Sequence, residues 1–296
     1  MMNSSPVRSS VHLDHIAHYV PDLAAAQTEL SQLGFTLTPF SEQSHRLAPD
    51  APLVAAGTGN QCVMLQRGYL EFLTPLADTP NAQQLRTAMA RYTGVHLLAF
   101  GTDDALADHA RLEREHFSPL APLALQREVG TVSGKATARF SVVRVAPEIM
   151  AEGRIQYCQH HTREWVWQPR WTTHANCAGG LAGLIICVDK PEETAQRYQR
   201  FTGIAVQQAG AAWRLDTKQG YILFTIPSAL RATVGVTAPT VPYIAGYVID
   251  SNDMNTTRAH VQGQTVEGRV LVSLSSALGG FILFQSEGSA PLDLHE

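Results

Sequence analysis

A short pattern, a glycine turn that leads into an apolar strand, occurs three times in the chain and restricts the folds available to it. Its copies occupy residues 67–73 (RGYLEFL), 219–225 (QGYILFT) and 279–285 (GGFILFQ). Repeated local patterns at separate places in a chain indicate repeated structural units. The copies differ most at one position, where Glu71 stands against Leu223 and Leu283. A carboxylate in a strand whose counterparts carry leucine is rarely buried without a partner or a function, so Glu71 is our first candidate site residue.

The same order of elements recurs around these patterns. Units that begin near residues 11, 94, 181 and 243 each predict an apolar strand, a helix capped by an acidic residue, and three further strands. A sheet of one such unit has an apolar face that it cannot bury alone, so the units must pair. We therefore predict an α+β fold of four βαβββ units arranged as two paired, curved mixed sheets.

The predicted units divide the chain into segments. We expect a flexible tail over residues 1–10, an N-terminal pair over 11–162, a connector over 163–180 and a C-terminal pair over 181–290. The connector holds three tryptophans, Trp165, Trp167 and Trp171, which indicate an ordered junction between the two pairs.

Composition excludes several classes of partner. The chain has 296 residues, a net charge of −4 and no long run of one sign, which argues against nucleic acid or an anionic membrane surface as a partner. Its longest apolar runs, such as residues 181–188, are too short to cross a bilayer. The first ten residues lack the apolar core of a signal peptide, so we expect a cytoplasmic protein with reduced cysteines.

Residues 13–23 (LDHIAHYVPDL) and 68–71 (GYLE), together with this order of elements, resemble the vicinal oxygen chelate superfamily. That superfamily includes glyoxalase I, bleomycin-resistance proteins and extradiol dioxygenases. Within it, the chain looks most like the glyoxalase-like domain proteins, on residues 57–60 (GTGN) and 158–162 (CQHHT). The resemblance implies the fold and a cavity for a small molecule, but several chemistries share this scaffold.

The resemblance also implies a metal site, because the first and last strands of each unit in such a pair offer ligands. These positions are occupied by His15 and Glu71 in unit one and by His96 and Gln156 in unit two. In units three and four they are occupied by Gly183, Leu223, Ile244 and Leu283. We therefore expect His15, Glu71 and His96 to bind a divalent ion (zinc, iron, nickel or manganese) in the N-terminal half. An alternative is that Glu71 pairs with Arg67 or Arg46.

Further residues are candidates for chemistry or substrate binding. Strand alternation places Tyr19 on the face of His15, and His160 on the face of Gln156 and Cys158. We predict that Glu71 and His160 are catalytic, with His160 as a general acid or base. We predict substrate contacts from Tyr19, Gln156, Cys158 and Trp165. Two alternatives are a separate metal site within residues 158–161 and tryptophans that seal an interface.

These features favour a metal-dependent enzyme that acts on a small molecule with adjacent oxygens, by lyase, isomerase or dioxygenase chemistry. The alternatives are a protein that sequesters a small molecule, as bleomycin-resistance proteins do, and a scaffold for another protein. Four units in one chain can pair internally, so we expect a monomer or a weak homodimer.

Overall fold

The computed structural model of the chain describes residues 10–46 and 52–295, without the side chains of residues 45, 46 and 53. The predicted tail therefore lies outside the described residues except for its last position. The side chain of Arg46, a suggested partner of Glu71, also lies outside them.

The order of strand, helix and three strands is present four times. Unit one contains β1 (His12–Tyr19), α1 (Leu23–Gln32), β2 (Ser41–Arg46), β3 (Leu53–Met64) and β4 (Tyr69–Pro75). After α2 (Pro80–Met89), unit two contains β5 (Gly94–Gly101), α3 (Ala105–Arg114), β6 (Leu123–Thr131), β7 (Gly134–Arg144) and β8 (Arg154–His160). The junction holds α4 (Arg163–Val166) and a single 3-10 turn (Pro169–Trp171).

Unit three contains β9 (Ala178–Cys187), α5 (Pro191–Thr202), β10 (Val206–Ala209), β11 (Ala212–Asp216) and β12 (Tyr221–Thr225). After α6 (Pro227–Val234), unit four contains β13 (Tyr243–Ser251), α7 (Met254–His260), β14 (Gln264–Val266), β15 (Arg269–Ser273) and β16 (Phe281–Ser286). The predicted α+β fold is confirmed. We did not predict α2 and α6, which follow the last strands of units one and three.

The strands form one large mixed sheet with two equivalent halves. The N-terminal half has the order β2-β3-β4-β1-β5-β8-β7-β6, and the C-terminal half has the order β10-β11-β12-β9-β13-β16-β15-β14. In each half the first strands of two units pair antiparallel, and each also pairs parallel with the last strand of its own unit. The halves are continuous through a pair between Val95 and Ile244.

The main hydrophobic core joins the two halves. Buried side chains of β1, β5, β9 and β13 belong to one cluster, among them Ile16, Leu98, Leu184 and Tyr247. His18 also spans the halves, because its Nδ1 lies 2.9 Å from the carbonyl oxygen of Leu278 and its Nε2 3.3 Å from the Tyr247 hydroxyl. This shared core holds the N-terminal sheet in place from behind.

The opposite face of the C-terminal half is filled by its own side chains. Leu223 and Leu283 are fully buried there, in one cluster with Leu230 of α6. Leu292 and Leu294, which follow the last strand, belong to the same cluster. The residues that replace Glu71 in these units are therefore core residues, and the site must be sought in the N-terminal half.

His18 should make the stability of the fold depend on pH. Burial lowers the pKa of His18 to about 4, so the unfolded chain binds a proton below pH 6.5 that the folded chain does not take up until pH 4. The free energy of unfolding should therefore fall as the pH drops through this window. Between pH 7.5 and 5 the loss from this residue should be about 2 kcal/mol. Urea unfolding at the two pH values measures it.

The His18→Gln variant should be less stable than the wild type at both pH values. Between pH 7.5 and 5 its free energy of unfolding should fall by about 2 kcal/mol less than that of the wild type. The matched control is His260→Gln, on the exposed end of α7, which should keep the wild-type pH dependence. An unchanged pH dependence in His18→Gln would contradict the expectation.

Candidate active site

The antiparallel pair of β1 and β5 forms the floor of the site. Its register pairs His15 with Ala99 and Ala17 with Leu97, so a local two-fold relates His15 to Leu97. Strand β4, parallel to β1, places Glu71 beside Ala17, and strand β8, parallel to β5, places Gln156 beside Ala99. His15, Leu97, Glu71 and Gln156 therefore occupy the four equivalent corners. The two alanines between them have short side chains, which leave space above the centre of the floor.

A cavity of about 390 Å³ lies over this floor. All four corner residues line it, and so do side chains of β2, β3, β6, β7 and β8. Its wall also includes Glu42, Gln43, Asn60, Cys62, Tyr69, Phe140, Arg127, Arg144, Arg154 and Cys158. The volume falls within the range of small-molecule sites.

A buried carboxylate fixes the orientation of His15. Nδ1 of His15 lies 2.7 Å from Oδ2 of Asp14, and the His15 ring stacks on Tyr69 with 4.4 Å between ring centroids. The same Oδ2 lies 2.9 Å from Nε2 of His160. Burial opposes the ionisation of Asp14, but the two histidines outweigh it and hold the pKa of this carboxyl well below its usual range. Because an ionised carboxylate only accepts hydrogen bonds, Nδ1 of His15 donates, which leaves Nε2 as the ring nitrogen able to bind a metal.

Glu71 is held by amides. Its Oε1 accepts hydrogen bonds from Nδ2 of Asn60 and, at 3.3 Å, from Nε2 of Gln43. Among the described residues no hydrogen bond reaches Oε2, and Arg67 pairs instead with Asp250 and Glu287. Glu71 therefore has one oxygen available on the cavity floor.

His96 is not brought to the cavity. The register shift between Ala17 and His18 leaves His96 unpaired, as the extra residue of a bulge between Val95 and Leu97. Its Nε2 lies 2.7 Å from the carbonyl oxygen of Tyr92, and its ring stacks between Tyr92 and Tyr19. Burial lowers the pKa of His96 to about 4. The bulge turns Leu97, one position later, towards the site.

The other predicted residues fall into two groups. Gln156 and Cys158 line the cavity, and burial raises the pKa of the Cys158 thiol well above its ordinary value. Tyr19 packs beside the cavity, and its buried hydroxyl has no hydrogen-bond partner in the described part of the chain. Trp165 packs against the cluster of Cys62 and Tyr69. Neither belongs to the cavity wall.

His160 lies behind the wall. Its ring makes edge contacts with Tyr69, Phe140 and Trp167, and its Nε2 is taken by Asp14. Asp14, Cys158 and His160 place three ligand-type atoms within 4.8 Å of one another, which is a second group able to hold a metal. In this structure the Asp14 oxygen already serves two histidines, so hydrogen bonding accounts for its closeness to His160.

Three arginines of the cavity wall were missed by the sequence reasoning. Arg127, Arg144 and Arg154 lie on β6, β7 and β8 and face the cavity. One signal could have found Arg154, because it precedes Gln156 and Cys158 at alternating positions of the same strand.

The sequence profile described as "Glyoxalase-like domain" matches residues 13–202. No curated protein sequence gives a significant match. Among residues 10–46 and 52–295, no helix has the length and hydropathy of a membrane span.

Several solved structures are similar over nearly the whole chain. A hypothetical protein from Staphylococcus aureus is 12% identical with a TM-score of 0.67, and the match covers 93% of this chain and 99% of that one. A variant of 4-hydroxymandelate synthase from Streptomyces coelicolor is 12% identical with a TM-score of 0.54, and the match covers 96% and 95%.

A fusion of a xylose isomerase-like TIM barrel with 4-hydroxyphenylpyruvate dioxygenase is 10% identical with a TM-score of 0.56, and the match covers 97% of this chain and 51% of the fusion protein. At these identities the likenesses establish the fold alone. The profile covers well over half of the chain, including both sides of the cavity, and the chain therefore belongs to the glyoxalase-like domain family.

Proposed function

We propose that this protein is a metal-dependent enzyme that acts on a small molecule with adjacent oxygen atoms. One observation carries the proposal. His15 and Glu71 line the same cavity, and among the described residues each keeps one ligand atom, Nε2 and Oε2, without a hydrogen bond. An imidazole nitrogen and a carboxylate oxygen are ligands that zinc, iron, nickel and manganese accept.

The surroundings of these two side chains fit a metal. A histidine that binds a metal through one nitrogen usually donates from the other to a carboxylate or a carbonyl, as His15 does to Asp14. The amide of Gln156 offers a third oxygen at an equivalent corner of the floor. Leu97 at the fourth corner offers no ligand atom. The proposed ligands are therefore His15, Glu71 and Gln156, so that Gln156 takes the place predicted for His96.

The chemistry of the cavity follows from its protonation states. A divalent ion bound here would supply Lewis-acid polarisation of a substrate oxygen. Burial raises the pKa of the Cys62 thiol to about 12 and that of Cys158 well above its ordinary value, so both stay neutral and neither is a nucleophile near pH 7. Glu71 is the one acidic residue on the cavity floor in the described part of the chain, and we assign it proton transfer with the substrate. Asp14 and His160 are positioning residues.

Metal content tests the proposal. Protein purified without oxygen and titrated with zinc, iron(II), nickel and manganese should bind about one ion per chain at this site. His15→Ala and Glu71→Ala should lose this stoichiometric binding, because each removes one ligand. Elemental analysis after gel filtration measures the metal content, and circular dichroism checks that each variant is folded.

His96→Gln is the matched control. It removes another buried histidine of the same sheet, and the variant should retain the metal. Loss of metal in His96→Gln with retention in His15→Ala would contradict the assignment. If the wild type binds no metal but small ligands still stabilise it against heat, the chain is a binding protein rather than a metal enzyme.

Asp14→Asn tests the supporting carboxylate. The amide carries no charge and has an NH2 donor in place of one oxygen, so it accepts less strongly and the orientation and tautomer of His15 are no longer fixed. We expect metal affinity to fall by about 10- to 100-fold, measured by calorimetric titration. The control Asp22→Asn, at the exposed N-cap of α1, should leave the affinity unchanged. Equal affinities in wild type and Asp14→Asn would show that His15 does not depend on Asp14.

A further inference from the structure

One wall of the cavity is cationic. Strands β6, β7 and β8 each contribute one arginine, namely Arg127, Arg144 and Arg154. The register explains why they share a face. Arg144 pairs with Gln156, which lies two positions beyond Arg154 on the same side of β8, and Arg127 lies two positions beyond Leu125, which also lines the cavity.

These guanidinium groups have no carboxylate partner within the described residues. Elsewhere the protein does pair its partly buried arginines, as Arg67 with Asp250 and Arg197 with Glu152. Arg154 donates to the Gln84 side chain at 2.6 Å, and Arg127 lies over the Phe140 ring. These contacts supply no negative charge.

Arg144 is the least satisfied of the three. Among described residues its guanidinium forms no hydrogen bond, and its Nε is buried without a partner, as is Nε of Arg127, which lies over the Phe140 ring. Burial, together with the neighbouring Arg154, lowers the pKa of Arg144, so its charged form is disfavoured as it stands. A buried polar group without a partner is costly, and a bound acceptor would remove that cost.

The charged side chains that line the cavity carry a net positive charge. Its described wall holds three arginines against two acids, of which Glu71 lies on the floor and Glu42 is exposed on β2. The whole chain carries a net charge of −4. The cavity is therefore a local site of positive charge in a negatively charged protein, which attracts anions.

We propose that the ligand of this cavity is an anionic small molecule whose carboxylate or phosphate group binds Arg144 and Arg154. Arg127 adds a further positive charge to the same wall. The position of the rest of the ligand, over His15 and Glu71, depends on the proposed function, but the anion site does not. β7 lies three strand spacings from β1, roughly 14 Å along the floor. The side chain of Arg144 spans part of this distance. The remaining space between its guanidinium and His15 therefore fits a ligand that is a few bonds long.

Calorimetric titration of metal-free protein tests the anion site. The probes are succinate and phosphoglycolate, with succinamide as the uncharged match of succinate, in a buffer free of carboxylate and phosphate. The wild type should bind the anions and not succinamide, and added salt should weaken the binding. Arg144→Gln should weaken it by about 10- to 100-fold, since a charge-assisted contact is lost. Arg154→Gln is the second variant should Arg144→Gln fail to fold.

Arg139→Gln is the matched control. Arg139 lies on the same strand as Arg144 but is exposed on the other side, so this variant removes the same charge and should bind the anions as the wild type does. Glu71→Gln should bind them more tightly, because it removes the negative charge of the floor. The inference is overturned if succinate binds no better than succinamide, or if Arg144→Gln and Arg139→Gln have equal effects.

The two proposals fail separately. Anion binding without metal binding would refute the metal enzyme and keep the anion site. Metal binding that depends on His15, with no preference for anions, would refute the anion site alone.

Discussion

The antiparallel pairing of β1 with β5 is the constraint on which the site depends. Its register sets His15 opposite Ala99 and Leu97 opposite Ala17, and the parallel pairs then place Glu71 and Gln156 at the remaining corners. A shift of one residue would turn these side chains to the other face of the sheet. Ladder hydrogen bonds, together with the apolar core behind the sheet, therefore determine which side chains meet over the floor.

The two walls of the cavity differ in electrostatic character. The wall of unit one carries Glu71 and an imidazole oriented by the buried carboxylate of Asp14. The wall of unit two carries three arginines. Such a cavity suits a ligand that is anionic at one end and offers oxygen atoms at the other. The thiols of Cys62 and Cys158 line the cavity, one on each wall, and stay neutral, so they add no charge.

The two halves of the molecule use one fold for different purposes. In the C-terminal half the face equivalent to the cavity is packed with leucines, and α6 and the residues after β16 complete that core. In the N-terminal half the equivalent helix α2 places Leu85 at the cavity wall, and the cavity remains open. The C-terminal half supports the site through the shared core and through the contacts of His18.

The resemblance to the vicinal oxygen chelate superfamily implied three corners of the floor. The sequence by itself determined the four units and the α+β class, because glycine turns, strand alternation and helix caps are local properties. It could not decide between His96 and Leu97, since the bulge that separates them arises only when β5 pairs with β1. Nor could it bring Asp14 to His160, 146 positions apart, or show that three arginines share a wall. Those contacts depend on which strands become neighbours, and burial of the apolar faces of the sheet decides that only in the folded chain.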